Sequence, residues 1–245
     1  MSSDTFKFRA ILFKGGAMLK KHACLLVVVV VGCMARTERP LNELPMYGGN
    51  WKGSAVEQDK KYSETAVRCG WDYFYAEKNN EAIKQFNIAW TYNTNNASAY
   101  WGFGLVMGKR AEVAKTYKTS AYCIREAIKH LSKALELDAE NPKIMVDLAV
   151  AYTGLGSFKK ESGKDGEGEA FLRANEMLEK AQRIAPDYPL LWINWAYLKY
   201  YQGDFALAEE YLIKAKEMGV SVSENFEKDL KGAADEKKRG LPEVK

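Results

Sequence analysis

The sequence predicts an all-α protein made of repeated pairs of helices. Small residues recur along the chain at matched intervals, which is how a repeat is recognised before any local structure is assigned. Large apolar residues fall midway between pairs of these small residues, at the spacing of one helix face. Two patterns typical of helix starts, at Ser54 and Ser221, bracket the repeated region.

The first helix of each predicted pair carries a small residue where two helices would cross closely. The four small residues of the first helices are Gly70, Gly104, Ala149 and Ala196. Their intervals of 34, 45 and 47 residues predict that the first repeat has the shortest spacing and that the next two carry insertions of 11 and 13 residues.

The second helix of each pair repeats a small, large, small pattern along one face. The leading small residues are Ala82, Ala127, Ala174 and Ala208, the large residues are Phe86, Leu131, Leu178 and Leu212, and the trailing small residues are Ala89, Ala134, Ala181 and Ala215. Their intervals of 45, 47 and 34 residues return to phase after each insertion. This face is suited to interdigitate with a neighbouring helix.

The pattern over about residues 63–219 resembles the tetratricopeptide repeat (TPR), a helix-turn-helix unit of 34 residues. The resemblance implies a TPR-like solenoid of about four repeats within a domain spanning 54–236. Ser221 to Glu224 resembles a capping box that would begin a C-terminal capping helix, and residues 237–245 form a charged tail. We expect Asp204 to cap the start of a second helix, and Pro142 and Pro189 to lie in the first turns of their helices. Thr94 and Lys199 depart from the usual Pro and Tyr of the repeat.

The N-terminus has the features of a secretory signal. Residues 1–33 carry the whole formal charge of +4, so the remainder is neutral and lacks the basic excess of a nucleic-acid-binding domain. Lys20 and Lys21 precede the apolar run 23–31, which is too short to span a bilayer. We expect residues 1–32 to be a signal peptide, with Met18 as an alternative start.

The run ends in Val30, Val31, Gly32 and Cys33, which resembles the lipobox of bacterial lipoproteins. The resemblance implies cleavage before Cys33 and attachment of lipid to its thiol. An uncleaved anchor and an ordinary signal with an incidental cysteine are the alternatives. By analogy with enteric bacteria, Met34 favours the outer membrane, facing the periplasm, over the inner membrane.

Residues 33–53 then read as a lipidated tether. Pro40, Pro45 and the pair Gly48 and Gly49 interrupt any helical periodicity in this segment. We expect a tether of about twenty residues that lifts the helical domain off the membrane.

The sequence offers little for catalysis. His22 lies in the signal and His130 lies on a predicted core helix, so no residue pair suggests a nucleophile and its base. We expect no enzyme activity, cofactor, metal or small-molecule substrate. We expect residues 163–169 of the second insertion to form a mobile, solvated loop. A rival hypothesis is an acidic site in this insertion, at Asp165, Glu167 and Glu169. Spacing alone leaves open whether Cys69 and Cys123 form a disulfide.

Aromatic residues are concentrated at the TPR positions that line the concave surface of such arrays. These are the predicted partner-binding residues Trp71, Phe74, Tyr75, Trp101, Tyr197, Tyr200 and Tyr201. Exposed aromatic side chains bury a large area at low entropic cost, which suits a protein or peptide partner. Alternatively, some pack against neighbouring helices, or the tether, with Tyr47 and Trp51, folds back into the groove.

The sequence therefore predicts a membrane-anchored scaffold or assembly factor of the bacterial cell envelope. The alternative is a periplasmic chaperone that holds exported chains. Neither the partner nor the pathway follows from the sequence.

Overall fold

A computed structural model describes residues 40–49, 51, 57–161, 163 and 166–239. Over these residues the protein is all-α, with nine α-helices, two short 3-10 segments and no strand. The predicted signal peptide, Cys33 and the start of the tether lie outside the described residues.

Eight of the helices form four consecutive pairs, and a ninth follows them. The helices are α1 Lys60–Tyr75, α2 Asn79–Tyr92, α3 Ala97–Glu112, α4 Tyr117–Leu137, α5 Pro142–Glu161, α6 Glu167–Ile184, α7 Pro189–Gln202, α8 Phe205–Glu217 and α9 Glu224–Lys238. The most extensive contacts join α1 to α2, α3 to α4, α5 to α6 and α7 to α8. Each second helix also contacts the first helix of the next pair.

Polar side chains fix the starts of several helices. Asp204 Oδ1 accepts a hydrogen bond from the Leu207 amide at 3.3 Å, which confirms the N-cap predicted for α8. Pro142 and Pro189 occupy the first turns of α5 and α7, also as predicted, because proline has no amide hydrogen to lose there.

The buried small-residue pattern is confirmed. Every small and large residue of the second-helix pattern is less than a tenth exposed. A methyl group built on Gly70 would lie 2.5 Å from Phe86, and one on Gly104 would lie 2.5 Å from Leu131 Cγ. The absence of a side chain on the first helix therefore makes room for the large residue of its partner helix.

The two predicted insertions lengthen helices. The helices of the first pair have 16 and 14 residues and those of the last pair have 14 and 13, whereas α4, α5 and α6 have 21, 20 and 18. The helix α3 has 16 residues, the same as α1. The segment 163–169 was expected to be a solvated loop, but Glu167 already begins α6. The loop prediction is therefore wrong for Glu167 to Glu169, because these residues form the first turn of a helix whose later residues are buried.

Both predicted capping boxes differ from the structure. The first would begin a helix at Ser54, but Glu57 to Asp59 are not helical and α1 begins at Lys60. Asp59 Oδ1 accepts from the Tyr62 amide at 2.9 Å and so replaces Ser54 as the cap. The predicted C-terminal helix is present as α9, although it begins at Glu224 and no side chain caps it.

The described part of the tether is folded against the helices. Residues Leu41–Glu43 and Pro45–Gly49 form 3-10 segments that pack on α2. Residues 41–49 are therefore attached to the helical domain and do not act as a free tether, because hydrogen bonds from α2 and α3 hold this segment in place.

No helix in the described part of the chain is long and apolar enough to cross a membrane.

Replacing Gly104 by Ala should destabilise the protein by about 1–2 kcal/mol net. The added methyl group would overlap the buried Leu131 side chain, typically at a cost of about 1–3 kcal/mol, and the better helix propensity of Ala offsets only part of it. The control is Gly232→Ala on α9, where nothing lies within 4 Å and Ala should stabilise by about 0.5–1 kcal/mol. Urea denaturation measures both, and equal stabilisation by the two variants would contradict the close approach.

Candidate functional site

The first helices of the four pairs contact one another in order. The contacts join α1 to α3, α3 to α5 and α5 to α7, beside the contacts within each pair. Side chains on the matching faces of these helices can therefore form a shared surface. This is the surface on which the aromatic residues were predicted to lie.

Three of the predicted residues form a compact group, which we call the aromatic patch: Trp71 and Tyr75 of α1 and Trp101 of α3. The ring centroids of Trp71 and Trp101 are 5.1 Å apart in an edge-to-face arrangement. Trp71 also stacks on Tyr75, with centroids 6.0 Å apart. Both indoles are half-buried, and Tyr75 is 54% exposed.

The polar edges of both indoles are already bonded within the protein. Trp71 Nε1 donates to Ser98 Oγ at 3.0 Å, and Trp101 Nε1 donates to Asp147 Oδ2 at 2.7 Å. These bonds fix the ring orientations. The patch therefore offers ring faces to a ligand, with indole N–H groups that are already engaged.

Asp147 was not predicted from the sequence. It is only 3% exposed and lies on α5, in the pair of helices that follows Trp101. A buried carboxylate is costly without donors, so its bond to Trp101 couples the patch to the third pair of helices. In the sequence, Asp147 stands out as the one acidic residue within the apolar run 144–151. The sequence pattern did not indicate that Trp101 is its hydrogen-bond donor.

Two of the seven predicted residues are core residues. Phe74 is fully buried in the cluster between α1, α2 and α3, and Tyr197 is 5% exposed. Tyr197 packs on Phe226 of α9 with ring centroids 4.1 Å apart, and burial raises the pKa of its phenol to about 12. The expectation that both line an exposed groove is therefore wrong in this structure, because neighbouring helices cover them.

Tyr200 and Tyr201 form a separate group at the end of α7. The Tyr200 ring lies 5.3 Å from Tyr201, 5.5 Å from Phe226 and 5.8 Å from Phe205. Burial, followed by the charges of Asp229 and Glu236, raises the pKa of Tyr200. The C-terminal helix α9 thus packs against this part of the predicted binding surface. Here the alternative, that some of the aromatic residues pack against neighbouring helices, is confirmed.

The described tether residues do not cover the whole surface formed by the first helices. They contact α2, and the ring centroids of Tyr47 and Trp51 are 4.5 Å apart in a tilted arrangement. Met46 packs against the core cluster that contains Phe74 and Phe86. The tether is thus anchored through the second helix of the first pair.

Groups capable of chemistry are dispersed. His130 is buried, and burial, with a smaller effect of Lys129, lowers its pKa to about 4 although Glu126 Oε2 lies 3.6 Å from its Nε2. Cys69 and Cys123 are not joined in a disulfide. Among the described residues, no group of three His, Cys, Asp or Glu side chains could hold a metal ion.

The acidic site proposed as a rival is only partly described. Asp165 lies outside the described residues, and Glu167 and Glu169 stand in the first turn of α6. Negative charge is favourable at this end of a helix, which gives both residues a structural role.

No protein-family model matches the sequence, and no curated protein matches it significantly. By its described residues, the chain is an all-α protein of consecutively paired helices, with packing consistent with helical repeats.

Replacing Trp101 by Phe should lower the free energy of unfolding by about 1–3 kcal/mol, because the buried carboxylate of Asp147 loses a hydrogen-bond donor. Helicity measured by circular dichroism should stay unchanged. Tyr73→Phe on α1 is the control, since Tyr73 is 37% exposed and its change should stay within about 0.5 kcal/mol. Equal stability of the two variants would show that the Trp101 bond contributes nothing.

Proposed function

We propose that this chain is a TPR lipoprotein that acts as an interaction scaffold or assembly factor in the bacterial cell envelope. In this proposal Cys33 carries the lipid and the first helices present the binding surface. The partner is a protein or peptide segment that docks on aromatic ring faces.

The order of the helices supports the TPR assignment. Four pairs follow one another, each with a small residue of the first helix at the place where a TPR has one. The contacts of Gly70 with Phe86 and of Gly104 with Leu131 repeat the same relation in two successive pairs. The longer helices α4, α5 and α6 are a departure from the standard 34-residue unit.

The observation that carries the functional proposal is the aromatic patch. Half-buried aromatic rings held by internal hydrogen bonds are pre-organised, so a ligand that covers them loses little side-chain entropy on binding. Rings with satisfied polar edges favour apolar ligand groups, such as aliphatic or proline side chains. Tyr75 adds the most exposed ring of the set.

The proposed binding surface is smaller than the sequence indicated. It comprises the aromatic patch and, further along the array, the partly exposed Tyr200 and Tyr201. Phe74 contacts the rings of Trp71 and Tyr75 from the core, and Tyr197 is buried against Phe226.

Placing a photoreactive phenylalanine analogue at Tyr75 tests the proposal directly. We expect illumination of whole cells to link the protein to one or two defined partners. The matched control is the same analogue at Tyr122 on α4, which is 50% exposed against 54% for Tyr75 and lies on a second helix. It should give no such product.

The products distinguish the two functional hypotheses. Many unrelated exported chains linked at Tyr75 would favour the periplasmic chaperone. Equal products from both positions, or none from Tyr75, would contradict a binding surface at the patch.

The lipid anchor is tested separately with Cys33→Ser. We expect loss of a palmitate label and release of the protein from the membrane fraction, because the proposed acyl chains provide the anchorage. Cys24→Ser is the control, since this residue lies within the predicted signal and its loss should change neither readout. Unchanged membrane association of Cys33→Ser would contradict the lipobox assignment.

A further inference from the structure

The N-terminal segment 40–47, which we call the strap, is bound through its main chain. Asn87 Nδ2 donates to the carbonyl oxygens of Asn42 and Leu44, at 3.0 and 2.9 Å. Arg110 Nη1 donates to the carbonyl oxygen of Glu43 between them, at 2.7 Å. Three consecutive carbonyl groups of the strap are therefore bound by side chains of α2 and α3.

The two side chains that bind the strap are themselves buried. Asn87 is 0% exposed and Arg110 is 6% exposed. Asn80 Oδ1 accepts from Arg110 Nη2 at 3.0 Å and so orients the guanidinium group. Buried polar groups are destabilising unless they find partners. The carbonyl groups of the strap satisfy donors that the helices alone would leave facing water.

Two strap side chains add selectivity to this main-chain binding. Glu43 Oε1 lies 3.4 Å from Lys84 Nζ of α2. Three residues later, Met46 packs against the core cluster that contains Phe74, Ile83 and Phe86. The site thus combines a basic contact, a row of carbonyl-binding donors and an apolar contact.

Other features indicate that the strap is not held irreversibly. Met46 and Tyr47 adopt left-handed backbone conformations, with φ of 51° and 54°, which are strained for residues other than glycine. The Oδ1 atom of Asn87 is buried and accepts no hydrogen bond within the described part of the chain. The strap therefore leaves one recognition group of the site unused.

We propose that the face formed by Lys84 and Asn87 of α2 and Arg110 of α3 is a peptide-binding site, with the strap as its exchangeable ligand. The ligand class is a short segment with an acidic residue followed, three positions later, by a long apolar side chain. The site accepts this segment from its own chain and also from a separate peptide. Peptide binding at this site requires neither a partner on the aromatic patch nor lipid on Cys33, although Met46, Trp71 and Trp101 pack on the same core cluster.

The probe is a fluorescent peptide with the sequence of residues 40–49, added to the full-length chain. In one form the strap is weakened by Glu43→Ala and Met46→Ser; the other form has the natural strap. Fluorescence anisotropy should show binding to the weakened form at least tenfold tighter than to the natural chain, where the strap competes. A peptide carrying the same two substitutions is the control and should bind neither form.

Asn87→Leu in the weakened form should abolish binding of the peptide, because two of the three hydrogen bonds to its carbonyl groups are lost. Because Asn87→Leu could prevent folding, a second test exchanges the charges of Lys84 and of Glu43 in the peptide. Lys84 is partly exposed, so Lys84→Glu in the weakened form should remain folded while it weakens binding a few-fold. A peptide with Glu43→Lys should recover that loss.

Failure of the peptide to bind the weakened form would overturn the proposal and leave the strap as a fixed part of the fold. Equal binding to the natural and weakened forms would also overturn it, because the peptide would then occupy another surface. Failure of the charge exchange to restore binding would exclude Lys84 as the basic contact and contradict the site as proposed.

Discussion

The close crossing of helices within a pair is the constraint on which the rest of the structure depends. Where Gly70 faces Phe86 and Gly104 faces Leu131, the first helix has no side chain and the partner helix fills the space. This fixes the distance and register of the two helices. The other faces of the first helices are then free to contact their counterparts along the array, which is where the half-buried tryptophans meet.

Much of the helical architecture could be predicted from the sequence because helix crossings demand small residues at regular positions. The buried sets that begin at Ala82 and Ala89 follow from that demand alone. Helix ends were less predictable. A helix-start pattern consists of only a few residues and therefore also occurs where no helix begins. Ser54 fits the pattern of an N-cap, but Asp59 caps the helix in the structure. The insertions were located, but their spacing could not show that they continue existing helices.

The candidate site was predictable only in part, since repeat positions specify a helix face and leave its coverage undetermined. Trp71 and Trp101 meet as their positions suggested, yet Phe74 and Tyr197 are buried. Tyr197 is covered by Phe226 of α9, which lies outside the repeated pattern. The hydrogen bond between Trp101 and Asp147 joins residues 46 positions apart, so it could be recognised only in the folded structure.

Docking of the strap also determines how far the helical array can lie from Cys33. If Cys33 is the lipidated residue, six residues separate it from Pro40, and the fully extended chain between the two reaches about 25 Å. With the strap released, the free chain would run from Cys33 to Asp59 and could reach about 90 Å. Occupancy of one small site on α2 and α3 would thus decide whether the helical array works against the lipid surface or samples the space well beyond it.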